Sequence, residues 1–365
     1  MKVKLLPLAI GAAIAMPGVA LADGPTVYGK VNVSYEMVDW NIELPSEDLD
    51  LDSDNWQVIS NASRVGVKGS ENITDDLKAI YQIEWGVNID SGEDMSQRDR
   101  FVGLSGGFGT VKVGKFDSPL KKAQGKVDLF NDLSGDIGYV IVGENRLSNV
   151  IQYSTADMGG VQFNIAMQPG EEYDLDVPGQ DAKDGPADAF SASVTFEQDG
   201  LYGAIAYDSE VGSSIKNPAL DELTAMLDPD DAEDYEESFG VFSSRFDTLR
   251  LVGQYQMDAF QFGVIYQMAE NSDEDVDGGS LEQDGYVLSA GFTAGSNLFK
   301  VQYSSATTEI DGVEQDIDVE ALSLGVDHKL SKQTTAYAYY NTYSFEVSEL
   351  DSGKDNLGVG IVHKF

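Results

Sequence analysis

Apolar and polar residues alternate along almost the whole of this chain, and that constrains its fold more than any other feature. About sixteen such stretches run to Phe365, separated by seven very short turns and eight long, mostly acid-rich connections in strict succession. Alternation with period two gives a strand two unlike faces. The short–long rhythm puts every second hairpin at the same end of the sheet. A sheet this long must close, and an apolar outside around a polar inside makes a membrane barrel.

Single strands show the pattern directly. Leu77, Ala79, Tyr81, Ile83, Trp85, Val87 and Ile89 share one face, with Lys78, Gln82, Glu84 and Asn88 on the other. Phe260, Phe262, Val264, Tyr266 and Met268 oppose Gln261, Gly263 and Gln267. The short turns fall at Asn72–Asp76, Ser105–Gly109, Asp157–Gly160, Glu197–Gly200, Asp258–Ala259, Ala294–Asn297 and Leu330–Ser331. Gly, Asn and Asp dominate them because tight hairpins need positive φ. Tyr28, Tyr35, Tyr153, Tyr303, Tyr337, Tyr339 and Tyr340 fall near strand ends, where interfacial girdles belong. The expected fold is therefore all-β, a sixteen-stranded antiparallel transmembrane barrel forming one domain over residues 23–365.

The segment before it reads as a secretory signal peptide over residues 1–22. Lys2 and Lys4 precede an apolar run from Leu5 to Val19, and Ala20-Leu21-Ala22 supplies the cleavage site. Export without a helical anchor leaves the periplasm, the outer membrane or the medium. The chain has no cysteine, which excludes disulfides and thiolate chemistry. Its formal net charge of −40 opposes nucleic acid and anionic surfaces as partners. The acids crowd into the connections Glu43–Asp54, Glu171–Asp188, Asp221–Glu237 and Glu270–Asp284. The two histidines, His328 and His363, stand at strand ends away from any serine–aspartate pair, so catalysis has no machinery here.

The bases are the informative minority. Lys30, Arg64, Lys68, Arg98, Arg100, Lys112 and Arg146 lie within the first six strands and share the polar parity. A lipid-facing arginine costs roughly 2–4 kcal/mol at mid-membrane, so an inward basic wall is expected. The third long connection, Asp117–Asn145, carries Leu120, Val127, Phe130, Leu133, Ile137 and Val140 and is less acidic than the others. Such a loop needs a surface to pack on, and the barrel interior is the nearest. Folded inward, it sets Asp128, Asp132, Asp136 and Glu144 opposite the basic wall, producing a transverse field across a narrow passage.

Val27-Tyr-Gly-Lys-Val31, Ser63-Arg-Val-Gly-Val-Lys-Gly69, Arg98-Asp-Arg-Phe-Val-Gly-Leu104, Gly107-Phe-Gly-Thr-Val-Lys-Val-Gly-Lys115 and Gly360-Ile-Val-His-Lys-Phe365 resemble the general diffusion porins of Gram-negative outer membranes. The resemblance implies a homotrimer of sixteen-stranded barrels with the third loop in the lumen, passing small hydrophilic solutes and ions, without a cofactor. It implies Lys30, Arg64, Arg98 and Arg146 on the basic wall of the constriction, with Arg100 beside them, and Asp132, Asp136 and Asp128 as the facing acids. The family's short loop sequence is missing here, and Asp117-Ser-Pro-Leu120 keeps part of its start.

Two alternatives stay open from the residues alone: a substrate-specific porin, or a non-conducting acidic surface β-protein that binds ligands or cells. The net charge leans towards cation preference, while the basic wall leans the other way. Asp273, Asp275, Asp277 and Asp284 approach a calcium-loop spacing, so Ca2+ or Mg2+ at the outer rim is a further expectation.

Overall fold

The computed structural model describes residues 24–44, 49–91, 95–170, 185–215, 242–272, 280–311, 316–347 and 350–365. Residues 1–22, expected to be the signal peptide, lie outside them, as do Asp273, Asp275 and Asp277. Sixteen antiparallel strands close into one barrel. They are β1 (Thr26–Leu44), β2 (Leu49–Ser60, resuming as Arg64–Thr74), β3 (Leu77–Gly86), β4 (Ser96–Gly106), β5 (Gly109–Asp117), β6 (Arg146–Ser154), β7 (Val161–Gln168) and β8 (Ala189–Gln198). The remainder are β9 (Leu201–Ile215), β10 (Phe242–Met257), β11 (Phe260–Asn271), β12 (Leu281–Ala294), β13 (Asn297–Ile310), β14 (Ile317–Lys329), β15 (Thr334–Val347) and β16 (Leu350–Lys364). No described helix is long and apolar enough to cross a membrane.

Closure follows from the need to pair every backbone amide where no water reaches. β1 pairs with β16 from Lys30↔Lys364 to Glu43↔Asp351. Gly29 and Phe365 then exchange two backbone hydrogen bonds at 2.9 and 3.1 Å, finishing the seam. Gly29 has to be glycine there, because a Cβ would come within 2.4 Å of the Phe365 ring.

All seven short turns form where the sequence places them. Asp199 (φ 52°) and Gly200 (φ 82°) show the positive φ pair that keeps a two-residue turn in line with strand twist. The opposite end differs from expectation. Only two residues separate β15 from β16 in sequence, and β1 and β2 pair as far as Leu44↔Leu49. Part of the acidic Glu43–Asp54 connection is therefore strand, because ladder pairing outlasts the apolar band. Asp284, expected to close a calcium loop, sits within β12 and accepts a hydrogen bond from the Tyr266 hydroxyl at 3.0 Å.

The outer face is apolar: Val58, Val102, Ile151, Phe163, Ile205, Phe262, Leu288 and Val359 are all exposed on it. Tyr35 stacks on Trp56 there at 4.9 Å. Three of the girdle tyrosines face the lumen instead. Tyr337 and Tyr339 are buried and cover Gly360 and Gly358, and Tyr28 covers Gly66 in the same way. Each ring lies over a cross-strand residue that has no side chain of its own, a pairing that strand-end position does not reveal.

β2 is broken at Asn61-Ala62-Ser63, three residues that oppose two on β1, with Ala62 at φ 48°. Ser63 Oγ accepts from the Asn32 amide (2.9 Å) and donates to the Asn32 carbonyl (3.0 Å), replacing the interrupted ladder. One extra residue shifts parity. Trp56 and Val58 consequently face out on one side of the break, while Arg64 faces in on the other.

Gly29→Val should disturb the seam by displacing Phe365, at a cost of about 1–3 kcal/mol for overpacking. Urea unfolding of the refolded barrel, followed by tryptophan fluorescence, measures it.

Candidate functional site: the pore constriction

The loop between β5 and β6 turns into the barrel and divides the lumen. It opens with a short helix, α1 (Pro119–Ala123), capped by Ser118, whose hydroxyl accepts the Lys121 amide at 3.0 Å. Leu120, Val127 and Ile137 are fully buried among inward residues including Ile265, Val287, Val319 and Phe345, and Phe130 is buried with Tyr337 and Tyr339 of β15. Burial of each such side chain contributes roughly 1.5–3 kcal/mol.

Apolar contact alone would leave the loop's amides unpaired, and the wall pairs them. Gln302 accepts from the Leu129 amide (2.8 Å) and donates to the Gly135 carbonyl (2.9 Å). Gln283 accepts from Val142, Gln254 from Lys126 and Ser191 from Leu120, at 3.0–3.1 Å. Lys300 donates to the Leu129 carbonyl at 2.9 Å and lies 4.5 Å from the Phe130 ring centre. Inward glutamines that alternation alone would assign to a wet lumen are thus partly committed to a dry contact.

On the free side of the loop stands the basic wall. Arg98 Nε donates to Glu84 at 2.7 Å, and Arg64 Nε lies 4.0 Å from the same carboxylate. Tyr28 also donates to Glu84, at 2.9 Å. Arg146 is gripped by Asp99 at 2.7 Å and Asp117 at 2.8 Å. Glu84, Asp99 and Asp117 were not anticipated as members of the site. Glu84 was visible as an inward polar position, but its task of pinning two arginines depends on neighbours far apart in sequence.

Across the passage, Asp132 reaches Lys30 at 2.5 Å and lies 3.7 Å from Arg64 Nη1. Asp132 holds a left-handed backbone conformation (φ 67°), and its amide donates to Asp136 Oδ2 at 2.8 Å. Aspartate tolerates that conformation better than most residues. Asp136 Oδ1 also accepts from Gly138 at 2.8 Å, and Asp128 accepts from Phe130 at 3.0 Å. Of the three expected acids, Asp132 meets the wall; Asp128 and Asp136 line the same cavity while their carboxylates brace the loop. Burial pushes the Asp128 carboxyl well above the ordinary range, and the nearby Asp136 charge adds to it. Asp136 is likewise raised, by burial and by Glu144, against the pull of its two amide donors.

Arg100 does not join them. Arg98 and Asp99 together oppose Glu84, which adds one residue to β4 and shifts parity. Arg100 consequently sits on the outer face with exposed Val102, 5.5 Å from the Trp85 ring centre and paired directly across from Lys115.

Two cavities, of about 560 and 470 Å³, meet around Arg64, Leu129, Asn131 and Asp132. The first is lined by Arg98, Arg146, Lys121, Lys122 and Lys126, with Asp117, Asp128 and Asp136. Lys30, Lys300, Lys329, Lys332 and Lys364, with Asp327, line the second. Lys300, the Lys329–Lys332 turn and Lys364 were missed because they belong to different strands and turns and converge only when the barrel closes. Among the described residues no three carboxylates or histidines gather as a metal site.

A family model described as Gram-negative porin matches residues 9–348. The major outer membrane protein P.IB of Neisseria sicca is 25% identical over 385 residues, covering all of both chains. The anion-selective porin from Comamonas acidovorans superposes with a TM-score of 0.70 at 18% identity, covering 94% of this chain and 100% of its own. OmpT of Vibrio cholerae in a trimer form gives 0.62 at 15% identity, covering 94% and 99%.

A carboxyl raised in the folded loop binds its proton more readily there than when the loop is released. It therefore favours the seated loop most at pH below the ordinary carboxylate value, and less as pH rises through the raised value. Hydrogen exchange, corrected for intrinsic rates, should show loop protection falling from pH 4 to pH 8, and falling less in Asp128→Asn.

Proposed function

This chain belongs to the Gram-negative porin family, and on that premise we propose that its passage prefers anions and that it works as a homotrimer. As a porin it is an outer-membrane channel for passive diffusion and not an enzyme. Water-filled space beside a fixed loop suits small hydrophilic solutes, and nothing in the lining favours one solute class by shape.

One observation carries the anion preference. The two cavities are lined by eleven Lys and Arg against five Asp and Glu, in a chain whose totals are 23 and 63. The cation preference expected from net charge rests mostly on acids outside the passage. Their influence is screened over about 8 Å at physiological ionic strength. Inside a narrow, low-dielectric passage the lining charges act on the ion at contact, so they outweigh the remote ones. The anion-selective porin that shares this fold supports the same sign.

The trimer is supported by the trimer form of a structural relative and by the outer face of β4 and β5. Arg100 and Lys115 are directly opposed there. Two cations facing acyl chains would each cost roughly 2–4 kcal/mol near the bilayer middle. A neighbouring copy can cover them more cheaply than lipid.

In a planar bilayer the purified protein should give ohmic steps in groups of three. In a KCl gradient the reversal potential should lie on the anion side, and Arg64→Glu with Arg146→Glu should move it to the cation side. A cation-side value for the unaltered protein would overturn the selectivity. Arg100→Glu with Lys115→Glu should lower the temperature at which trimers dissociate on unheated gels while the barrel itself stays folded.

A further inference from the structure

We infer that Arg250, on the wall far from the basic face, is a positioning residue that decides which charges the passage presents, acting through Glu144. Arg250 is fully buried (0%) and is among the largest side chains so enclosed. Its guanidinium reaches Glu144 Oε1 at 2.6 Å, Gln267 Oε1 at 2.7 Å and the Val142 carbonyl at 3.1 Å. Gln267 donates to that same carbonyl at 2.9 Å. The end of the inserted loop is thus held by one forked base and its neighbouring amide.

Tight packing leaves this clamp little freedom. Gly143 has φ +88°, and a Cβ there would meet Leu120 at 2.8 Å and Arg250 at 3.4 Å. Asp208 is also buried (1%), two residues beyond Ala206, which pairs with Arg250 across the ladder. Arg250 pairs directly with Glu144 of the loop and stands near Asp208 of the wall.

What Glu144 would do unheld gives the clamp its function. Lys121 lines the passage, donates to the Glu144 carbonyl at 3.1 Å and lies 3.9 Å from Glu144 Oε2. Released from Arg250, Glu144 has Lys121 as its remaining base, and turning to it brings a further carboxylate towards Asp117 and Asp136. Arg250 therefore takes one acid out of the lining and keeps the loop against the far wall. Folded away behind the loop, Glu144 is not itself part of the lining. The inference needs an open channel but not a particular sign of selectivity, because the effect is a shift from whatever value the unaltered protein has.

Single-channel conductance and reversal potential in a KCl gradient test it on the full-length protein. Glu144→Gln alone should leave the reversal potential unchanged. Arg250→Gln should shift it towards cations and lower conductance, because the loop end is no longer held away from the passage. Arg250→Gln with Glu144→Gln should return the reversal potential to the unaltered value while conductance stays lowered, and Arg250→Lys should recover part of both. A shift that persists in the double variant, or no shift in Arg250→Gln, would overturn the inference. If Arg250→Gln yields no folded barrel, Glu144→Gln beside Asp132→Asn decides. Asp132→Asn should move the reversal potential towards anions; an equal move in Glu144→Gln would show that Glu144 already faces the passage.

Discussion

A backbone amide cut off from water has to find a partner, and this structure meets that demand twice. In the wall the ladder closes on itself, down to the exchange between Gly29 and Phe365. Inside, a loop has been folded into a space where strands cannot reach it, and side-chain amides serve it instead. Gln302, Gln283 and Gln254 pair with the loop much as an adjoining strand would. Without them, the buried Leu120, Val127 and Phe130 would bring unpaired peptide groups into a dry contact, at a cost that offsets much of their gain. The position of Asp132, and so the width of the passage, depends on this pairing.

The electrostatic design follows from the same economy of partners. Arginines on the basic wall are held by acids of that wall: Glu84 holds Arg98, with Arg64 close by, and Asp99 and Asp117 hold Arg146. A guanidinium with several donors keeps outward-pointing charge after one carboxylate is bound. The acids fix where the positive groups stand, and the excess of Lys and Arg over Asp in the lining leaves the passage surface positive. On the loop side Asp136 uses its carboxylate to set the backbone of Asp132, which alone of the three expected acids presents itself to Lys30 and Arg64.

Strand count and turn positions were legible in the sequence, because alternation and turn composition are local properties, and so was the shared parity of Lys30, Arg64, Arg98 and Arg146. Parity across a break was not. A bulge adds one residue to a strand and leaves no compositional mark, so Arg100 was placed beside Arg98 when the Arg98-Asp99 bulge sends it outward. Tyr28, Tyr337 and Tyr339 went astray because the glycines they cover belong to other strands. The turn-end lysines come from different strands, Lys329 and Lys332 alone sharing a turn, and the inward glutamines look alike whether they meet water or a loop.

The bulge at Asn61-Ala62-Ser63 gives the second strand a heritable property of its own. Its outer half presents Trp56 and Val58 to the membrane, and its inner half presents Arg64 to the passage, through a single extra residue. Most of a barrel tolerates substitution far better than a change of length. Here, losing one codon would turn one half of the strand inside out while the other kept its place. At this break the number of residues therefore matters more than the identity of most of them, Ser63 with its two hydrogen bonds to Asn32 excepted.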